Sequence, residues 1–180
     1  MAELVSARYA TALFDVAVEG NKKKELMEEL KHINFLFEEN KSFMEINKSP
    51  VISNSEKKEL IKNIFEDKIS DYMYNFLRVL VDKNRVSYIS GILNEFKKLY
   101  NDSENIAEAI AITAIKLSDE KLEKLKVNLS KITNKTIILE NQVDEDVIGG
   151  MLIKIGEQEL DGTLKKRLNE IKENLREIKA

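Results

Sequence analysis

The sequence has no cysteine, one proline and one histidine in 180 residues. Without cysteine there is no disulfide framework, no thiolate nucleophile and no zinc-thiolate site. The lone histidine, His32, sits among Lys31, Ile33 and Asn34 and has no second histidine to complete a metal site. It reads as an ordinary surface or boundary residue. Positive charge is not in excess either. Against 32 Asp and Glu stand 29 Lys and Arg, a net charge of −3, which argues against a nucleic-acid footprint. No apolar run approaches the roughly 18 residues that cross a bilayer. The longest near the start, residues 10–18, is broken by Thr11 and Asp15. It also lacks a basic leader and a cleavage site, so no signal peptide is expected.

What is present is a helical pattern over residues 2–100. The first helix, residues 2–20, carries Ala7, Ala10, Phe14, Ala17 and Val18 on one stripe and Tyr9, Leu13 and Val16 on an adjoining one. Together they form an apolar face wider than one buried seam needs. Gly20 with Asn21 supplies the stop. Further helices are expected over 22–40, 42–47, 54–65, 70–84 and 86–101. Pro50 turns Ser49 away from the helical conformation, and Ser53 with Glu56 has capping-box spacing. The 70–84 helix is apolar on nearly every side, through Tyr72, Met73, Phe76, Leu77, Val79, Leu80 and Val81, which predicts a central position.

A polar break at 101–105 ends this regime and the period changes. Residues 106–115, IAEAIAITAI, read as a strand, although the alanines leave a helix open. Ser118, Asp119 and Glu120 start a helix striped by Leu122, Leu125, Leu129 and Ile132. Strands follow at 136–142 and 151–156, with a third over 157–160. The last helix, opened by Asp161-Gly162-Thr163, spaces Leu164, Leu168, Ile171, Leu175 and Ile178 by 4, 3, 4 and 3. That seam packs either on its own sheet or on a partner helix.

Signals of chemistry are absent. No Gly-x-Ser-x-Gly elbow occurs. Asp144, Glu145 and Asp146 lack the alternating ligands and central glycine of a calcium loop and read as a solvated turn. Gly149-Gly150 is followed by Met151-Leu152-Ile153 rather than the Lys and Ser/Thr of a P-loop, so the pair is structural. Lys165-Lys166-Arg167 stands at a helix start, where positive charge opposes the dipole. It is either a solvated face or a contact for an acidic partner. No catalytic, metal or cofactor-binding residue is expected, and no cofactor.

Three segments resemble one family. ARYATALFDVAVEGN, at 7–21, resembles the opening helix of the delta subunit of F-type ATP synthase, known in mitochondria as the oligomycin-sensitivity-conferring protein. YNFLRVLVDKNRVSYISGILNEFKKLY, at 74–100, resembles its fifth and sixth helices with the Asn84-Arg85 turn between them. VDEDVIGGMLIKIGEQELDGTLKKRL, at 143–168, is similar to its C-terminal signature. Residues 22–71 match only in pattern.

The resemblance implies an α+β chain with an N-terminal six-helix bundle, residues 1–104, and a small C-terminal α/β domain, residues 105–180. It implies a non-catalytic stator, or peripheral-stalk, subunit of the F-type proton-translocating ATP synthase. Such a subunit sits at the cytoplasmic face of the cell membrane and meets the membrane only through the complex. Its implied partners are the N-terminal helix of an alpha subunit, in a groove between the first and fifth helices, and the C-terminal region of the b subunit. A groove for an amphipathic helix needs apolar surface left over from the protein's own core. Candidates are Ala7 and Ala10 for close approach, with Tyr9, Leu13, Phe14, Ala17, Phe76, Leu77, Leu80 and Val81 for contact area. For each the alternative is interior packing. The rival function is a freestanding helical adaptor that binds amphipathic helices.

Overall fold

The computed structural model describes residues 2–49, 51–66, 68–156 and 158–177. Helices come first and strands later, which makes the chain α+β. The helices α1 (Ala2–Glu19), α2 (Lys23–Glu39), α3 (Lys41–Lys48), α4 (Asn54–Phe65) and α5 (Asp71–Asp82) are followed by a 3₁₀ turn, Val86–Tyr88, and α6 (Ile89–Ser103). Then come β1 (Ile106–Thr113), α7 (Asp119–Thr133), β2 (Thr136–Val143), a 3₁₀ turn, Glu145–Val147, β3 (Met151–Ile155), β4 (Gln158–Asp161) and α8 (Leu164–Glu177). The chain divides into two compact units between Tyr100 and Asn101, at the head of the polar break.

Local chemistry sets the ends of the first unit's helices. At α4 the Ser53 hydroxyl accepts from the Glu56 amide (3.3 Å) while the Glu56 carboxylate accepts from the Ser53 amide (2.9 Å), a complete capping box. The start of α5 is capped twice. Ser70 Oγ accepts from the Met73 amide (3.3 Å), and Glu29 on α2 accepts from the Ser70 amide (2.6 Å) and hydroxyl (2.8 Å). Ser49 is extended (φ −65°, ψ 126°), as a residue before proline should be, and Pro50 itself lies outside the described residues. Past α1 the left-handed residue is Asn21 (φ 52°) rather than Gly20, since asparagine tolerates that conformation.

The core of this unit gathers Leu26, Leu30 and Ile33 of α2, Ile61 of α4, Met73, Leu77 and Leu80 of α5, and Ile89, Ile92 and Phe96 of α6. Each such side chain contributes about 1.5–3 kcal/mol by leaving water. The helix α5 is not central on every side: Tyr72 and Val79 are exposed, so its outer apolar residues reach the surface. Lys57 is buried at 3%, and its ammonium donates to the Ser49 carbonyl (2.8 Å) at the C-terminal end of α3, where a cation suits the dipole.

In the second unit four strands form a mixed sheet in the order β2-β1-β3-β4. β1 runs parallel to β2, which it reaches through α7, and antiparallel to β3, which pairs antiparallel with β4. The alanines that left β1 ambiguous alternate onto one face. Ala109 packs with Leu129 of α7, Ile137 and Ile153, where small side chains let the helix lie close to the sheet. The expected cap at α7 differs. Ser118 is extended, but its side chain makes no capping bond. The preceding Leu117 amide donates instead to Asn141 Oδ1 (2.8 Å), and Asn141 Nδ2 donates to the Ala111 carbonyl (2.8 Å) and Thr113 Oγ1 (2.9 Å). Thr163 does cap α8, accepting from the Lys166 amide (3.2 Å). The strand expected over 157–160 is β4, which begins at Gln158; Glu157 lies outside the described residues.

Candidate partner-binding surfaces

The ten residues singled out in the sequence separate when folded. Ala10, Leu13, Ala17, Leu77, Leu80 and Val81 are each no more than 3% exposed and belong to the core. They hold the helices together and offer no contact area while the unit stays folded. Ala7 and Phe14 are half-buried, and Phe14 packs edge-on against Phe96 of α6 (5.5 Å between ring centres). Tyr9 of α1 and Phe76 of α5 are half-buried as well. Their rings stack edge to face with centres 6.4 Å apart.

Around that pair the two helices expose a second stripe. On α1 it comprises Val5, Tyr9, Ala12 and Val16, at spacings of 4, 3 and 4; on α5 it comprises Tyr72, Phe76 and Val79, at 4 and 3. Val16, Tyr72 and Val79 are 37%, 44% and 46% exposed, so this apolar surface is unsealed. Lys22 closes one end, with its ammonium 5.8 Å over the Tyr72 ring. The Glu25 carboxylate, 2.8 Å away, bonds that ammonium and raises its pKa. Of these, Val16 belongs to the over-wide apolar face read for α1, and Tyr72 and Val79 to the nearly all-apolar α5; Val5 and Ala12 carried no signal in the sequence. Periodicity shows that such a face holds two stripes without showing which of them is covered.

At the other end of the chain the paired glycines stand between β2 and β3 and against the start of α8. Gly149 accepts from the Leu164 amide (3.0 Å), and the Met151 carbonyl accepts from the Gly162 amide (2.9 Å). Gly150 has φ +80°, and a Cβ there would collide with the Gly162 carbonyl oxygen. Beside it, Asp161 Oδ1 accepts from the Thr163 amide (2.9 Å). That bond first, then the Thr163 hydroxyl and the Lys166 charge, hold the Asp161 carboxyl below its usual pKa. A depressed folded-state pKa adds stability above the unfolded value, and this is lost as pH falls through the folded pKa. Asp161→Asn keeps an acceptor but cannot titrate. It is therefore expected to lose less stability than the wild type between neutral and acidic pH in urea melts.

The described side chains of the α8 seam are not buried on the sheet. Leu164, Leu168 and Ile171 are 46%, 64% and 55% exposed. The side chain of Leu175, and all of Ile178, lie outside the described residues. The acidic turn forms a 3₁₀ turn in which Asp144 Oδ1 accepts from the Asp146 amide (3.0 Å). Among the described residues no group of three or more metal-ligating side chains is gathered, and no helix is long and apolar enough to cross a membrane.

The family model of the ATP synthase delta (OSCP) subunit matches residues 5–175. The chain belongs to that family. The ATP synthase subunit delta of Alkaliphilus oremlandii is 46% identical over 178 residues, covering 99% of both chains. That of Clostridioides difficile is 41% identical over 179 residues, again 99% of both. The same fold occurs in a chain of the Toxoplasma gondii mitochondrial ATP synthase hexamer, at a TM-score of 0.73 and 22% identity over 94% of this chain and 96% of that one. This delta-family subunit is thus a non-catalytic, peripheral-stalk component of an F-type ATP synthase, a membrane-associated complex. Its partners are other subunits of that complex, and a freestanding adaptor role is not favoured.

Proposed function

We propose that the helical part, taken as one six-helix bundle, clasps the N-terminal helix of an alpha subunit in the α1–α5 groove. The C-terminal part holds the C-terminal region of the b subunit, on the cytoplasmic face of the membrane. The two contacts together keep the catalytic head from turning with the rotor. The observation that carries this is the unsealed stripe of Tyr9, Val16, Tyr72, Phe76 and Val79. Its spacings match an amphipathic helix laid along the groove, with Ala12 leaving room for close approach.

A stator contact must release slowly, and a nanomolar dissociation constant corresponds to about −12 kcal/mol. Rigid aromatic anchors within an apolar surface supply such affinity at low entropic cost. The full chain mixed with a peptide of the alpha subunit's N-terminus should bind in the submicromolar range by calorimetry, and Val16→Glu should weaken that binding. A peptide that fails to bind at micromolar concentration defeats the assignment of the groove.

A further inference from the structure

We propose that α8 is the docking surface for an acidic amphipathic helix, seated on Leu164, Leu168 and Ile171 and met at its start by Ile148. This rests on the C-terminal part being the one that holds the stalk, and adds the chemistry of what it holds. The three α8 residues are spaced by 4 and 3, so they form one stripe, and all are exposed. Ile148 is 73% exposed at φ 59°, a conformation that β-branched residues avoid. It directly precedes Gly149, whose carbonyl accepts from the Leu164 amide, so the corner displays Ile148 at the first turn of α8.

The charges beside the stripe choose the occupant. At 100° per residue, Lys165 and Lys172 fall on one side of it and Arg167 on the other, while Glu170 lies behind. All three cations are exposed, and none forms an ion pair among the described residues. Lys166 sits toward the back, nearest Asp161. A second copy of α8 would bring like charges together along both edges, which disfavours self-pairing. A helix with Asp or Glu beside its own apolar stripe would instead set carboxylates over Lys165, Arg167 and Lys172.

Two synthetic helical peptides of about 20 residues, with the same leucine seam at heptad spacing, test this on the full chain by fluorescence anisotropy. One carries Glu at the flanking positions and the other Lys. The Glu peptide should bind about 10-fold tighter or more. The triple variant Lys165→Glu, Arg167→Glu, Lys172→Glu should reverse that order. Leu168→Asp should abolish binding of both peptides; the site is exposed, so circular dichroism should stay unchanged. Val16→Asp, in the α1–α5 groove, should leave binding intact. Equal affinities, indifference to the triple variant or to Leu168→Asp, or loss of binding through Val16→Asp would each overturn the proposal. Co-purification separates it from the stator reading. The triple variant should lose the b subunit but keep alpha, whereas a wild-type chain that retains neither sinks the stator reading and leaves the peptide result to decide α8.

Discussion

Gly150→Ala should cost about 3–5 kcal/mol, while Gly149→Ala should cost roughly 1 kcal/mol or less. The two glycines adjoin, yet their constraints differ. At Gly150 the positive φ of +80° already disfavours any side chain, by about 1–2 kcal/mol. The added Cβ meets backbone on the far side, the Gly162 carbonyl oxygen and Thr163 Cα at 3.0 Å, and backbone cannot rotate away. Relief requires parting β3 from the start of α8, which breaks the Gly162–Met151 bond (2.9 Å) and the Leu164–Gly149 bond (3.0 Å), each worth about 1 kcal/mol. A unit of about 80 residues holds only about 4–12 kcal/mol in total. At Gly149 the obstacle is the Leu164 Cδ1 methyl at 2.8 Å, the far end of a flexible and half-exposed side chain that can turn aside. Urea melts of both variants followed by far-ultraviolet circular dichroism check this, and equal losses would mean that the corner is not held by Gly150.

Val79→Glu and Leu80→Glu, one residue apart on α5, should fail in different ways. Leu80 is fully buried among the core residues of the helical unit. A carboxylate there has no partner, and an uncompensated buried charge costs about 3–5 kcal/mol, enough to unfold a marginal unit. Val79 is 46% exposed on the outer stripe of α5. Its replacement should change stability by no more than about 0.5 kcal/mol. Binding of the alpha-subunit peptide should nevertheless weaken by about 2 kcal/mol, roughly 30-fold, because a docked helix would desolvate the new carboxylate. Thermal melts and calorimetry on both variants separate the effects. Normal peptide affinity in a folded Val79→Glu chain would remove Val79 from the contact.

These two pairs show where sequence reasoning succeeds and where it stops. The capping box at Ser53–Glu56 was legible because its partners are three residues apart and the geometry is local. The demand at the glycine pair was legible as well, since adjacent glycines in an apolar run imply a close backbone approach. The particular atom approached was not, because the Gly162 carbonyl lies further along the chain and only the fold brings it to Gly150. At α7 the local rule misled: Ser118 makes no side-chain cap, and Asn141, on a different strand, serves the connection instead.

By itself the sequence determined the helical first part, the strands that follow, the absence of reaction chemistry and the family, since all of these depend on residue type and spacing along one chain. Only the tertiary structure decided that Ala10, Leu13 and Leu80 are interior, that Val16 and Val79 are exposed with Tyr9 and Phe76 half-buried, and that Leu164, Leu168 and Ile171 of α8 stay exposed. The physical reason is that periodicity measures how apolar residues are arranged around one helix. Burial depends on what other elements lie against that helix, and a spare apolar stripe becomes visible only after the chain's own core has been filled.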